Sequence, residues 1–246
     1  MIDIKIRYQA SIFAPSIDAT PQNISEMMNL FLDKGVVPTT QQELATLNAD
    51  AIAVPQLRFS LNSPNNEWVI HFGIERIDIS QNQTDAKGNN IGSIEQFSTE
   101  ASDIFVRIIN KYQWKANRLA ISGNLILKEM LPQALDEIYP KLFNPTRIYK
   151  ENKPFEWNFR AVSHIEKKIN GNDEILNYIT EANRFTGQLN FNQSIVPLDR
   201  IAVNLDINTV PNNANNRFEK LDIIDFYSNV HGWYNDLLNE LIEKIK

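Results

Sequence analysis

Three histidines, His71, His164 and His231, are the only side chains here whose ordinary titration falls near neutral pH. The chain has no cysteine, which excludes disulfides, thiolate catalysis and cysteine-ligated zinc or iron–sulfur sites. Acid–base or metal chemistry would therefore draw on the histidines and on carboxylates. His71 stands in a run where Trp68, Ile70 and Phe72 alternate with other residues, so strand parity sets it on the opposite face. His164 stands opposite Trp157 and Phe159 by the same rule. Both then project from the sheet face away from the helices, as a pair of ligands or an acid–base pair, with Glu75 the nearby catalytic candidate. The competing reading is two ordinary histidines on a polar sheet face. His231 lies one residue past the apolar stripe of the last helix, where a boundary histidine bonding a carbonyl is expected.

The carboxylates give a weaker signal. Asp199 and Asp206 are seven residues apart and fall on opposite faces of a strand unless a bulge intervenes. Asp222 and Asp225 sit near a helix start, where they favour the positive end of the helix dipole. Glu151-Asn-Lys153 and Glu166-Lys-Lys168 match the Glu-x-Lys fragment of one nuclease class, but neither has a clear aspartate on a neighbouring strand. There is no Gly-x-Gly-x-x-Gly, no Walker loop, no Gly-x-Ser-x-Gly elbow and no His-Glu-x-x-His. No metal site and no cofactor is expected. The aromatics Trp68, Phe72, Trp157, Phe159, Phe185 and Phe191 alternate as core-facing strand residues do. Trp114 and Trp233 break from their helical stripes and are expected to be exposed, which with His231 makes them the binding candidates.

The elements that must position these residues are strands and a few long helices. Ile2, Ile4, Ile6 and Tyr8 alternate with charged and polar residues as a half-buried strand. Thr20-Pro21 reads as a helix cap and first turn, with Gly35 at the end. Val36–Val54 is ambiguous, with a short helix at Gln41–Leu47. Leu57–Leu61 forms a hairpin with the next strand through Ser63–Asn66. In Trp68–Ile79 the apolar parity switches, which predicts one strand with a bulge or bend near Glu75-Arg76. Phe97–Tyr112 is an amphipathic helix. Arg118–Leu127 is a strand, Pro132–Phe143 a helix, and Phe155–Ile165, Ile175–Thr180, Thr186–Phe191 and Asp199–Val210 are strands. Leu221–Ile245 is the last helix. Strand, loop and long helix thus occur at Glu67–Tyr112 and again at Asp199–Ile245. The expected fold class is α+β, two pseudo-repeated halves at 1–116 and 117–246, fused into one compact unit with an antiparallel sheet and long helices on one face.

A net charge of −6 and a pI near 5.2 argue against a broad nucleic-acid surface. No apolar run approaches the ~20 residues that span a bilayer, and the first residues lack a signal-peptide core. A cytoplasmic location and no membrane partner are expected.

Pro55–Ser80, Ile94–Tyr112 and Asn117–Ile126 (NRLAISGNLI), with Leu205–Asn208 and the helix around His231, resemble a sporadically distributed family of uncharacterised bacterial proteins. In that family a hairpin leads through a short loop into a helix and then a strand beginning near an arginine. This chain departs from the pattern in the loop Gln81–Ser93 and in the strand near Gly123, which is usually rich in tyrosine. The resemblance implies no activity, and the family's patchy occurrence is that of genes in mobile or defence loci. The expected function is a non-enzymatic interaction protein that binds a macromolecular partner or itself. The alternatives are a binder of small apolar ligands with a helix-grip cavity, and a metal-dependent nuclease or hydrolase built on His71 and His164.

Overall fold

The computed structural model describes residues 1–46, 53–191 and 194–246. In chain order the elements are β1 (Ile2–Phe13), α1 (Pro21–Leu30), β2 (Val37–Thr46), β3 (Ala53–Asn62), β4 (Trp68–Phe72), β5 (Ile77–Asn82) and α2 (Ile94–Tyr112). There follow β6 (Arg118–Leu127), α3 (Pro132–Leu142), α4 (Arg147–Glu151), β7 (Trp157–Ile169), β8 (Asn172–Phe191), β9 (Ser194–Thr209) and α5 (Lys220–Ile245). The fold is mixed: five helices and one antiparallel sheet of nine strands among the described residues, in the order β2-β3-β4-β5-β1-β6-β9-β8-β7. β1 and β6 pair with each other at its centre, so the sheet is continuous across the boundary at residues 116 and 117.

Local chemistry explains several boundaries. The Thr20 hydroxyl accepts from the Asn23 amide at 3.1 Å and Pro21 opens α1. Gly35, at φ 61°, ends the short turn that follows. Ser93 and Gln96 form a reciprocal capping box on α2, at 3.1 and 2.9 Å. Asn170 and Gly171, at φ 48° and 84°, make the tight turn between β7 and β8.

Three expectations are corrected. Trp68–Ile79 is not one bulged strand but a hairpin. The chain reverses at Gly73–Arg76, where the Gly73 amide donates to the Arg76 carbonyl at 2.9 Å. The parity switch is the signature of that reversal, since the pairs Ile70–Ile79 and Phe72–Ile77 put all four side chains on one face. The register shifts lie instead in β1, between Ile2 and Ile4 and between Lys5 and Arg7. Gln41–Thr46 is strand and not helix, because pairing along β3 overrides its helix-favouring composition; Leu47 lies outside the described residues. Ile175–Thr180 and Thr186–Phe191 belong to one long strand, β8.

α2 and α5 pack on each other and on the sheet. Phe105 meets Tyr227 at 5.4 Å between ring centres, and Phe97 and Tyr234 both meet Tyr8 of β1. The Tyr227 hydroxyl reaches the carbonyls of Ser11 and Ala120, at 3.0 and 3.1 Å, and so touches both central strands. The core is built from Ile12, Ile79, Ile121 and Leu205 under these helices, with Phe226 and Val230 of α5. Among the described residues no helix is long and apolar enough to cross a membrane.

Candidate functional site

The alternation that buries Ala10, Ile79, Ile121 and Leu205 against α2 and α5 turns their neighbours to the opposite face. That face carries Arg7, Gln9, Ser11, Ser80, Asp78, His71, Ser60, Ser122, Asn204, Asp206 and Asn208 in register across the strands. It is polar, and hydrogen bonds join most of these side chains in small local clusters, grouped in two regions.

The first region centres on β4 and β5. His71 lies directly across from Ser60 on β3 and from Asp78 on β5. Its Nδ1 is 2.7 Å from the Ser60 hydroxyl, and its Nε2 contacts the Glu43 carboxylate. Asp78 is buried and accepts from Ser11 at 2.5 Å, from Gln9 at 3.1 Å and from Arg76 at 2.9 Å. Arg7 donates to the Ser80 hydroxyl at 2.5 and 3.2 Å. A cleft of about 490 Å³ opens here, lined by Phe13, Glu43, His71, Glu75, Arg76 and Asp78. The structure thus brings His71 and Glu75 into one cleft.

A serine, a histidine and a carboxylate in hydrogen-bonded order have the composition of a nucleophile relay. The geometry opposes that use. Ser60 is 6% exposed and is absent from the cleft lining. Both ring nitrogens of His71 are engaged, so the imidazole braces three strands.

The second region spans β6, β9, β8 and β7. Asn208 accepts from Arg118 at 2.7 Å and from Asn177 at 2.9 Å, and donates to Asp206 at 2.8 Å. Arg118 also donates to the Thr209 carbonyl at 3.0 Å. Burial raises the Asp206 carboxyl above the usual carboxylate range, against the opposing effects of the Asn208 hydrogen bond and the Arg118 charge. Glu181 accepts from Arg160 at 2.7 Å and from Asn204 at 3.3 Å.

The remaining candidates are dispersed. His164 is exposed on β7, separated from His71 on β4 by five intervening strands. With steps of about 4.8 Å between strands, one ion held by bonds of ~2 Å cannot join them. Among the described residues no group of three or more His, Asp or Glu has metal-site geometry. Trp114 and Trp233 are half-buried instead of free. Trp114 stacks on Tyr112 at 4.5 Å, while Trp233 packs on Phe226 and lies 5.5 Å from the Lys167 ammonium. The His231 Nδ1 is buried and has no partner, so the expected carbonyl bond is not made there.

Asp199 is the bidentate partner of Arg184, at 2.9 and 2.8 Å, and that ion pair holds its carboxyl below the usual range. Asp222 and Asp225 tie the Asn170 turn to the start of α5, at 3.0 and 2.7 Å. Among the aromatics, Phe72 stacks on Phe59 and Trp68 on Phe97; the side chain of Phe191 lies outside what is described.

A second cleft, of about 470 Å³, lies beside α2. Trp68, Ile70, Phe97 and Ile104 form its apolar wall, with the Lys34–Glu100 ion pair at its rim. Its lining joins Lys34 and Val36 to Trp68, Ile70 and α2, segments far apart in sequence that residue spacing alone does not bring together.

In comparisons with known proteins, the chain matches no family model and no curated sequence.

Proposed function

We propose that this protein is a non-enzymatic interaction protein that binds a macromolecular partner on the sheet face turned away from α2 and α5. One observation carries this reading: across β3 to β9 that face presents donors and acceptors already fixed by neighbours, from Ser60 and His71 through Asp78 and Arg7 to Arg118 and Asn208. A partner meeting such a surface orders few side chains on binding, which lowers the cost of association. Alternating charges of both signs favour a polar partner surface. The long helices lie on the other face, and the order of elements outward from β1 and β6 fits two diverged copies of one unit, residues 1–116 and 117–246. The resemblance to a sporadic bacterial family fits the same reading and suggests a mobile or defence-associated context.

The test is a tagged pulldown from the native host with wild type, with Ser122→Arg/Asn204→Arg at the middle of the face, and with the control Leu221→Asp on α5. The expected result is a discrete partner, protein or nuclease-sensitive, that is lost with the double variant alone while circular dichroism stays unchanged. A partner retained by the double variant, or none at all, overturns the reading.

The cleft beside α2 favours a second reading, a small apolar ligand held between α2 and the sheet. Its volume lies in the range of ligand pockets, and its wall is aromatic and aliphatic. Quenching of tryptophan fluorescence by a medium-chain fatty acid, abolished by Ile104→Arg, supports it; no quenching at saturating ligand counts against it.

A further inference from the structure

We propose that the open edge of β7 pairs antiparallel with β7 of a second copy of this chain, centred on Ser163, to join two sheets into one. The proposal is independent of the face assigned above.

The backbone sets the first condition. Ile169 faces Asn172 across a two-residue turn whose central residues, Asn170 and Gly171, both have positive φ. Such a turn closes on a pair that exchanges both backbone hydrogen bonds. Counting back by twos, the odd residues of β7 bond to β8. The even residues, Asn158, Arg160, Val162, His164, Glu166 and Lys168, aim their amides and carbonyls outward. Pairing is unbroken from Trp157 to Ile169, and the strand contains no proline or glycine. The middle of it, Arg160–His164, is exposed. Long, regular edges of this kind are templates for another strand. The opposite edge strand, β2, carries Pro38.

Charge sets the register. Even residues must meet even residues, so the two-fold axis falls at one of a few positions. Centring on Ser163 places Arg160 opposite Glu166 of the second copy, and Val162 opposite His164, each twice by symmetry. Centring on His164 sets Arg160 against Lys168, and centring on Val162 sets it against His164. Among the described residues Glu166 has no ion-pair partner, while Arg160 pairs only with Glu181. On the other face the Ser163 register lays Ala161 against Ile165 of the second copy. That contact extends the groove between β7 and α5 lined by Phe159, Ile165, Leu237 and Leu241.

Sedimentation across a concentration series tests this with the full chain. Wild type is expected to dimerise. Val162→Pro removes an outward amide and no bond to β8, so it should give a monomer with unchanged circular dichroism. Glu166→Arg should raise the dimer dissociation constant roughly tenfold, because two like-charge cross-strand pairs replace two opposite ones. Arg160→Glu combined with Glu166→Arg should restore dimerisation. A wild type that is monomeric throughout, or a dimer that survives Val162→Pro, overturns the proposal. Should Val162→Pro fail to fold, the charge series decides: no weakening by Glu166→Arg, or no rescue by the swap, overturns it equally.

Discussion

Gly123 of β6 faces Tyr234 of α5 so closely that a Cβ at position 123 would lie 3.0 Å from Tyr234 Cζ and nearer still to its hydroxyl, with Tyr8 Cδ1 at 2.9 Å. The Tyr234 hydroxyl is buried and unpartnered, and burial pushes its pKa well above the usual value. The missing side chain at 123 is what lets the last helix lie against the centre of the sheet.

Gly123→Ala is therefore expected to cost about 1–3 kcal/mol by overpacking, since both rings it would meet are locked in the core. Tyr234→Phe removes a buried hydroxyl that has no hydrogen bond, and is expected to be neutral or to stabilise by up to about 1 kcal/mol. Combining the two should recover part of the alanine cost, because the same oxygen is the nearest clash. Urea denaturation of the four proteins measures this. Strict additivity would show that the contact does not couple the two positions.

Tyr227 makes the complementary case, a buried hydroxyl with two carbonyl acceptors, on Ser11 and Ala120. Tyr227→Phe removes the single proton that these two carbonyls share and is expected to cost about 1–2 kcal/mol. Equal stability of Tyr234→Phe and Tyr227→Phe would contradict this difference in environment.

What the sequence alone makes legible depends on the range of the interaction. The α2 stripe and the Thr20-Pro21 cap are local and legible from spacing. The hairpin at Gly73–Arg76 resembles a bulge in sequence because a four-residue reversal and a one-residue insertion both shift apolar parity. Placing His71 and His164 on the face away from the helices followed from alternation, but their separation depends on strand order, which periodicity does not encode. The partners of His71, namely Ser60 and Glu43, come from two other strands. Arg118, Asn177 and Asn208 likewise meet only through the order β6-β9-β8. Spacing sets Asp199 against Asp206 as a weak pair, while its actual partner, Arg184, lies across a strand pair.

Arg184 supplies a stronger test of that pairing. Its side chain is 7% exposed, and its guanidinium is bidentate to Asp199 and reaches Asp136 of α3 at 2.8 Å. Arg184→Met is expected to destabilise by roughly 2–3 kcal/mol, below the full cost of a buried pair because both carboxylates keep some contact with water. Hydrogen exchange should show the loss at α3 and at the paired segments of β8 and β9, since this ion pair joins the three. A purely global loss, with α3 no more affected than α2, would count against it.

Asp206 predicts a pH dependence of definite sign. Burial raises its carboxyl pKa above the ordinary value of about 3.9. Between that ordinary value and the raised one, the folded state binds more proton than the unfolded state, so this residue's contribution to stability falls as pH rises through the window. Below the window both states are protonated and the penalty vanishes. Asp206→Asn keeps an acceptor for the Asn208 amide and removes the buried charge. It should melt a few degrees above wild type at pH 7, with the difference shrinking toward zero as pH falls below the ordinary carboxyl value. Subtracting one melting curve from the other removes the acidic groups that do not couple to this carboxyl. A difference that grew on acidification would mean that Arg118 and Asn208 outweigh burial, and that the carboxylate is held in its charged form.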